Sequence, residues 1–354
     1  MKLRNTPGMP LAPRVLITGA TGFLGGYAVR EFLNAGFQVL AHGRNLDALE
    51  RLALLGATPV AGDLAQLATT QLALPGRPIH AVVHVAALST PWGPWRDFEA
   101  ANVTGTENVV QFMERNAVPR LVYVSSPSVY ARRGDHLGIT EADFDPGNRL
   151  NNYIRSKIAA ESFLTHAHAQ GRIAELIMLR PRGLIGAGDT SVAPRLLSAY
   201  QKIGVPLFGG GKNLVDLTAV ENVAYALRLS VQAAHAEGQV YNISNGDPRP
   251  IKDLLEILFQ QLDLPPKYRA ASPTVFYGLG AVLEGICKLL PKQPEPPLTR
   301  YTVTTIAYAQ TLDITAAQAD LGYRPLVTVE EALAAFAAQY RTAQNTDEPG
   351  GIHG

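Results

Sequence analysis

Residues 14–26 read RVLITGATGFLGG. An apolar, β-branched run ends at Thr18, and a helical pattern starts near Phe23. Between and beyond them Gly19, Gly22 and Gly25 stand three residues apart. A turn of this kind brings backbone N–H groups to a pyrophosphate at a helix N-terminus, where the helix dipole favours negative charge. Gly25 falls where the helix has to pass close to the strand. Glycine triplets are common in turns, so the weight rests on position. This one sits at the first strand–helix junction of the chain, which reads as a dinucleotide-binding loop.

Outward from the loop, short strand-like runs alternate with helical patterns. RVLIT, FQVLAH, TPVAG, IHAVVHV and RLVYVSS are followed by AELIMLRP at 174–181 and GQVYNIS at 238–244. Helices are expected over 23–34, 45–54, 97–116 and 152–168. Such alternation implies α/β: a Rossmann-type doubly wound parallel sheet covered on both faces, with a smaller C-terminal substrate domain. The expected division is a flexible leader at 1–13 and a dinucleotide-binding domain over 14–181 plus about 216–244. A substrate-binding region over 182–215 plus 245–342 and a disordered tail at 343–354 complete it.

The 354 residues carry a formal net charge of +1, so no broad field calls for nucleic acid. Cys287 is the one cysteine, which excludes an intrachain disulfide and a cysteine-built zinc site and fits a reducing cytoplasm. No apolar stretch of signal-peptide length opens the chain. The longest apolar run, VFYGLGAVLEGICKLL at 275–290, is short for a membrane span. Val275, Leu279, Val282, Leu283, Ile286 and Leu290 make one stripe of it, and Glu284 and Lys288 are read as a surface pair elsewhere on the helix. The expectation is a core-facing helix; a substrate lid, or a face touching lipid or a partner enzyme, is the sharper alternative.

The second strand ends in VLAHGRN, with no acid to hold a ribose 2′-hydroxyl. Arg44 stands there instead, and a guanidinium suits a 2′-phosphate, so NADP(H) is favoured over NAD(H). Asp63, after the third strand, has two readings: an acceptor for the adenine amino group or the N-cap of the next helix.

The strand LVYVSSPSVY at 121–130 delivers two serines to its C-terminal end, where open parallel sheets place their ligands. About 25 residues later NNYIRSK opens a helix with Tyr153 and Lys157 one turn apart on one face. A phenol, with an ordinary pKa of about 10, is a poor base at neutral pH. A neighbouring ammonium and the positive ring of an oxidised nicotinamide favour its phenolate. Tyr153 then exchanges a proton with the substrate oxygen as hydride moves, and a serine hydroxyl holds that oxygen.

GATGFLGG, HVAA at 84–87, NVTGTENVV at 102–110, VSSPSVY and YIRSK together resemble the extended short-chain dehydrogenase/reductases. LRPRGLIGAGD, DLTAVENVAYA, YNISNGDPRP and LGYRP narrow the resemblance to the 3β-hydroxysteroid dehydrogenase-like branch, and most nearly to bacterial 2-alkyl-3-oxoalkanoate reductases of olefin biosynthesis. The resemblance implies Ser126, Tyr153 and Lys157 as catalytic residues. It implies Gly19, Thr21, Gly22, Phe23, Leu24, Gly25, Arg44, Asp63, Leu64, Ala86, Ala87, Ser125 and Pro181, with Tyr153 and Lys157, as the cofactor-binding set. Asn102 matches a structural or proton-relay position, and His84 reads as a packed core histidine. A homodimer through two helices beside YIRSK is the family expectation. Pro127 and Ser128 stand where the family's nucleotide-sugar dehydratases carry an acidic pair, which argues against water elimination.

The expected function is therefore an NADP(H)-dependent oxidoreductase interconverting a ketone and a secondary alcohol on a bulky apolar substrate, a 2-alkyl-3-oxoalkanoate or a 3-hydroxysteroid-like molecule. The competitors are an NAD-dependent nucleotide-sugar epimerase and a non-catalytic NADP(H) sensor. His166 and His168, two apart on a helix, point to different faces and suggest no metal site. Trp92 and Trp95 either wall an apolar substrate or pack their loop. The compartment is read as cytoplasmic, with membrane association as the alternative that the 275–290 stripe raises.

Overall fold

The computed structural model describes residues 12–66, 77–190, 192–202, 204–235 and 237–347. Seven parallel strands form the central sheet: β1 (Arg14–Thr18), β2 (Gln38–Gly43), β3 (Thr58–Ala61), β4 (Ala81–His84), β5 (Arg120–Val124), β6 (Glu175–Pro181) and β7 (Glu237–Ile243). Their order across the sheet is β7-β6-β5-β4-β1-β2-β3. All seven runs marked in the sequence are in it, the last returning from the C-terminal half.

Both faces of the sheet are covered, which is why the strands read as continuous apolar runs rather than alternating ones. Val15 and Ile17 of β1 enter one core with Ala28, Val29 and Phe32 of helix α1 (Phe23–Asn34). Leu16, between them, enters the opposite core with Val109 and Met113 of α2 (Gly105–Arg115) and Leu164 of α3 (Asn152–Ala169). Helix α4 (Val220–Gln232) packs beside α1 on the first face. The strand order reverses between β1 and β4, so a crevice opens there at the carboxyl ends of the strands.

The C-terminal region adds a small four-stranded sheet that joins Leu214–Val215, Arg249–Pro250 and Gln310–Leu312 to His136–Ile139. The last of these comes from the loop after β5, so the two regions share a sheet. Helix α7 (Val329–Asp347) runs through 343–347, a stretch expected to be disordered. Residues 1–11 and 348–354 lie outside the described residues.

The 275–290 stripe is inverted relative to expectation. Helix α5 (Pro273–Leu289) turns Gly280, Glu284 and Cys287 inward, at spacings of four and three. Val275, Leu279, Val282, Ile286, Leu289 and Leu290 face out. The cause is a close approach. A Cβ on Gly280 would lie 3.0 Å from the Arg300 backbone nitrogen. At that approach Glu284 accepts from the Arg300 backbone N–H at 2.6 Å and from its Nε at 2.8 Å. Arg300 opens helix α6 (Arg300–Ala307). Glu284 and Lys288 are therefore not a surface pair: Glu284 is buried, and Lys288 lies over the Trp92 ring at 5.9 Å.

Candidate active site

The glycine loop is built as its residue types require. Gly19 has φ +67°, and a Cβ there would meet the Ala86 backbone nitrogen at 2.7 Å. A Cβ on Gly25 would overlap the Gly19 carbonyl oxygen at 2.0 Å, so only glycine lets α1 pass this close to β1. Gly22, exposed and extended, caps α1 with no side-chain hydrogen bond, and no acid stands in its first turn. The N–H groups of that turn are free of side-chain acceptors and suit a pyrophosphate. Thr21 abuts Gly43 at the end of β2, Phe23 packs beneath Gly186 and Gly188, and Leu24 is core.

Around this cradle, Arg44 is exposed just past β2. Asp63 accepts from the Ala65 N–H at 3.0 Å with one carboxylate oxygen, closing a turn over 64–66 rather than capping a helix among the described residues, and its second oxygen is left for a ligand. Leu64 is buried, with its carbonyl held by Asn108. Ala86 and Ala87 follow β4, and Pro181 ends β6, buried. Two buried polar groups here have no hydrogen-bond partner among the described residues: the His42 ring at the end of β2 and the Ser125 hydroxyl at the end of β5. Orphaned polar atoms at the crevice fit a site shaped for a polar ligand. Burial pushes the His42 pKa down to about 4, so the ring is neutral there.

Ser126, Tyr153 and Lys157 are brought together at the same edge. The Ser126 oxygen accepts from the Ser128 N–H at 3.2 Å, which leaves its proton to be donated outward. Burial raises the Tyr153 pKa, and the facing Ser126 hydroxyl offsets part of that rise. The Tyr153 phenol is thus protonated at neutral pH. The Lys157 ammonium donates to the Val124 carbonyl at 2.8 Å and to the Tyr123 hydroxyl at 3.2 Å. Burial lowers the Lys157 pKa to about 7, with Glu161 pulling the other way.

Asn102 sits in a π-helical turn, Glu99–Thr104, ahead of α2. Its side chain clamps the Leu88 N–H and carbonyl at 2.7 and 3.0 Å and donates to Ser156 at 2.8 Å, tying the loop after β4 to the tyrosine helix. His84 bridges Thr18 and Thr106 at 2.7 and 3.0 Å, and burial holds its pKa down at about 3, so it is a packed, neutral histidine. Trp95 carries the Arg155 guanidinium at 3.6 Å. A cavity of about 140 Å³ adjoins the cluster, walled by Trp92, Asn152, Lys288, Thr299, Arg300 and Tyr301. The sequence reading missed Tyr123, Tyr301, Arg182 and the buried Glu161–Arg180 ion pair. Only tertiary placement brings these to the site, although Arg182 adjoins Pro181 and α-helical spacing puts Glu161 one turn beyond Lys157.

A switch-point crevice with a glycine loop at a helix N-terminus defines an NAD(P)-binding enzyme of the Rossmann type. The chain belongs to the NAD dependent epimerase/dehydratase family, whose model matches residues 15–244, and within it to the extended short-chain dehydrogenase/reductases. It is 34% identical to the uncharacterized protein YbjS of Escherichia coli (strain K12), over 93% of this chain and 98% of that one. It is also 34% identical to a 2-alkyl-3-oxoalkanoate reductase of Stenotrophomonas maltophilia (strain K279a), over 90% and 97%. A decarboxylating sterol-4-alpha-carboxylate 3-dehydrogenase of Schizosaccharomyces pombe (strain 972 / ATCC 24843) is 29% identical over 90% and 95%. Among solved structures, MoeE5 in complex with UDP-glucuronic acid and NAD superposes with a TM-score of 0.70 at 25% identity, covering 93% of this chain and 99% of that one.

Proposed function

We propose that the protein is an NADP(H)-dependent reductase of bulky, apolar 3-oxo compounds, with 2-alkyl-3-oxoalkanoates as the substrate class. The observation that supports this is the placement of the Ser126 hydroxyl at the carboxyl end of β5 beside Tyr153 and Lys157, one turn apart on α3, with Lys157 held by the Val124 carbonyl of the same strand. A ketone that is being reduced needs a proton, and a phenol kept neutral by burial is in the form that gives one. Ser126 holds the carbonyl oxygen and polarises it. When bound, the dinucleotide supplies the hydride; the α1 N-terminus and glycine loop hold its pyrophosphate and Arg44 its 2′-phosphate. Trp92 and Tyr301 offer apolar wall for the chains of the substrate. The reductase names among the relatives at 33–34% identity support the same class.

The test is consumption of NADPH and of NADH, assayed separately, with a 2-alkyl-3-oxo acid, a 3-oxosteroid and a UDP-sugar. Ketone-dependent NADPH oxidation is expected. Dinucleotide binding without any ketone turnover overturns the reading, and UDP-sugar conversion with no net redox change replaces it with an epimerase. Replacing Arg44 by Ala is expected to raise the NADPH KM about 10- to 100-fold, the worth of a charge-assisted contact, and to leave NADH unchanged. Equal effects on both cofactors would remove Arg44 from the 2′-phosphate.

A further inference from the structure

Arg182 follows Pro181 at the carboxyl end of β6 and is only 7% exposed. Its backbone is fixed: the N–H donates to the Ile243 carbonyl, and its own carbonyl accepts from Thr218. Its guanidinium, with five N–H donors, forms no hydrogen bond or ion pair among the described residues. The groups that feel its charge are Asp216 and the Tyr301 phenol. Asp216 accepts from the Leu312 N–H through Oδ2 at 2.6 Å, while its buried Oδ1 has no hydrogen-bond partner among the described residues and lies outside ion-pair distance of Arg182. β6 pairs with β5, whose own carboxyl end carries Ser126, so Arg182 stands at the edge of the sheet that holds the reacting groups, and the Tyr301 phenol is within electrostatic reach of both Arg182 and Tyr153. Asp216 balances the charge from a distance but takes none of the five N–H donors, and buried donors left unspent suit a bidentate acceptor brought by a ligand.

We propose that Arg182 is the carboxylate receptor of this site, so that the substrate is a 3-oxo or 3-hydroxy acid rather than a neutral ketone. A carboxylate two carbons from the reacting carbonyl would lie on the Arg182 side of Tyr301 while the carbonyl oxygen meets Ser126 and Tyr153. The inference rests on the reductase reading and is tested so that the two fail differently. Wild type, Arg182→Met and Arg182→Lys are compared on a 2-alkyl-3-hydroxy acid with NADP, which avoids the spontaneous decarboxylation of the oxo acid, and on its methyl ester. Wild type is expected to prefer the acid. Arg182→Met should lose roughly 100-fold or more in kcat/KM on the acid, mostly in KM, with the ester within about threefold. Arg182→Lys should recover part of the loss. Bound-NADPH fluorescence confirms that each variant is folded. Turnover of the ester with no preference for the acid, or equal losses on both substrates, overturns the carboxylate role and leaves the reductase standing. No turnover of either substrate by wild type overturns the reductase.

A separate observation concerns α5. Of the eleven large hydrophobic side chains exposed among the described residues, six lie on this helix and its C-cap. Among the described residues no helix is long and apolar enough to cross a membrane. Between Leu264 and Pro294 the exposed charges are Lys267, Arg269, Lys288 and Lys292, and the one acid, Glu284, is turned inward onto Arg300. The acids that flank this stretch, Asp263 and Glu295, are ion-paired with Arg341 and Arg195, so the unpaired charges beside the apolar centre are cations, which matches an anionic bilayer surface. A twofold contact between copies would set like patch against like patch, cation facing cation. The geometry points to α5 lying on anionic lipid, with Lys288 shared between that face and the Trp92 wall of the cavity. The protein should cosediment with phosphatidylcholine vesicles containing phosphatidylglycerol, weakly with phosphatidylcholine alone, and less at high salt. The double variant Ile286→Asp, Leu289→Asp should lose binding about tenfold or more while retaining NADPH binding. No sedimentation at low salt, or a dimer that the variant converts to monomer, overturns the lipid assignment.

Discussion

Replacing Tyr153 by Phe is expected to lower kcat for ketone reduction by about 10²–10⁴-fold, the worth of a positioned proton donor. Dinucleotide affinity and melting temperature should stay close to wild type. The substitution deletes one oxygen from a buried setting, and the ring keeps its tilted contact with Phe98 at 6.4 Å between centroids. The Tyr153 hydroxyl makes no full hydrogen bond among the described residues, so no partner is stranded when it goes. Because burial raises its pKa, reduction should not lose the proton donor until the pH exceeds the ordinary phenol range near 10. A variant that retains a fifth or more of wild-type kcat would show that the proton comes from elsewhere, Ser126 or water being the remaining donors. A variant that loses activity together with NADPH binding would mean that the side chain is structural. The two are separated by measuring cofactor fluorescence alongside turnover.

The sheet was legible because its physics is local. Each strand is a short apolar run bounded by turn residues, and Gly19, Gly22 and Gly25 sit where a Cβ would strike Ala86 or the Gly19 carbonyl. The tyrosine helix was legible for the same reason, with Asn151 capping it through the Ile154 N–H. What sequence pattern did not carry was the direction in which α5 faces. Periodicity marks an apolar stripe but does not say which side has a partner. Here Glu284, which composition assigns to the surface, outbids the stripe by taking two hydrogen bonds from Arg300. The Lys157 contacts were likewise hidden. Spacing places Lys157 beside Tyr153, but the Val124 carbonyl and Tyr123 hydroxyl that hold it come from β5, and only the packed sheet brings them there. Arg182 carried no pattern at all: its role comes from the lack of a partner, which is a property of the fold.

Replacing Lys157 by Met should do two opposed things, and their combination is the discriminating result. Activity should fall by about 10²-fold or more, since the proposed reaction loses the buried amine that ties the tyrosine helix to the end of β5. Stability should rise. Burial holds the Lys157 pKa at about 7, against about 10.4 in an unfolded chain. Below pH 7 folding therefore bears the full cost of the buried charge, about 5 kcal/mol as an upper bound at 1.36 kcal/mol per unit. Between pH 7 and about 10.4 the unfolded chain holds a proton that the folded one has released, so wild-type stability climbs with pH across that window. Methionine has nearly the same volume and no charge. It forfeits the contacts to Val124 and Tyr123, worth about 1–3 kcal/mol together. The desolvation effect is the larger, which leaves a net gain of about 1–3 kcal/mol at pH 6 that shrinks towards pH 10. Melting temperatures of the apoenzyme and variant at pH 6 and pH 9.5 measure this directly. A variant less stable at both pH values would mean that the Val124 and Tyr123 hydrogen bonds outweigh the buried charge, making Lys157 a structural strut. A variant more stable at pH 6 yet inactive would show that the fold tolerates this lysine at a cost for the sake of the reaction.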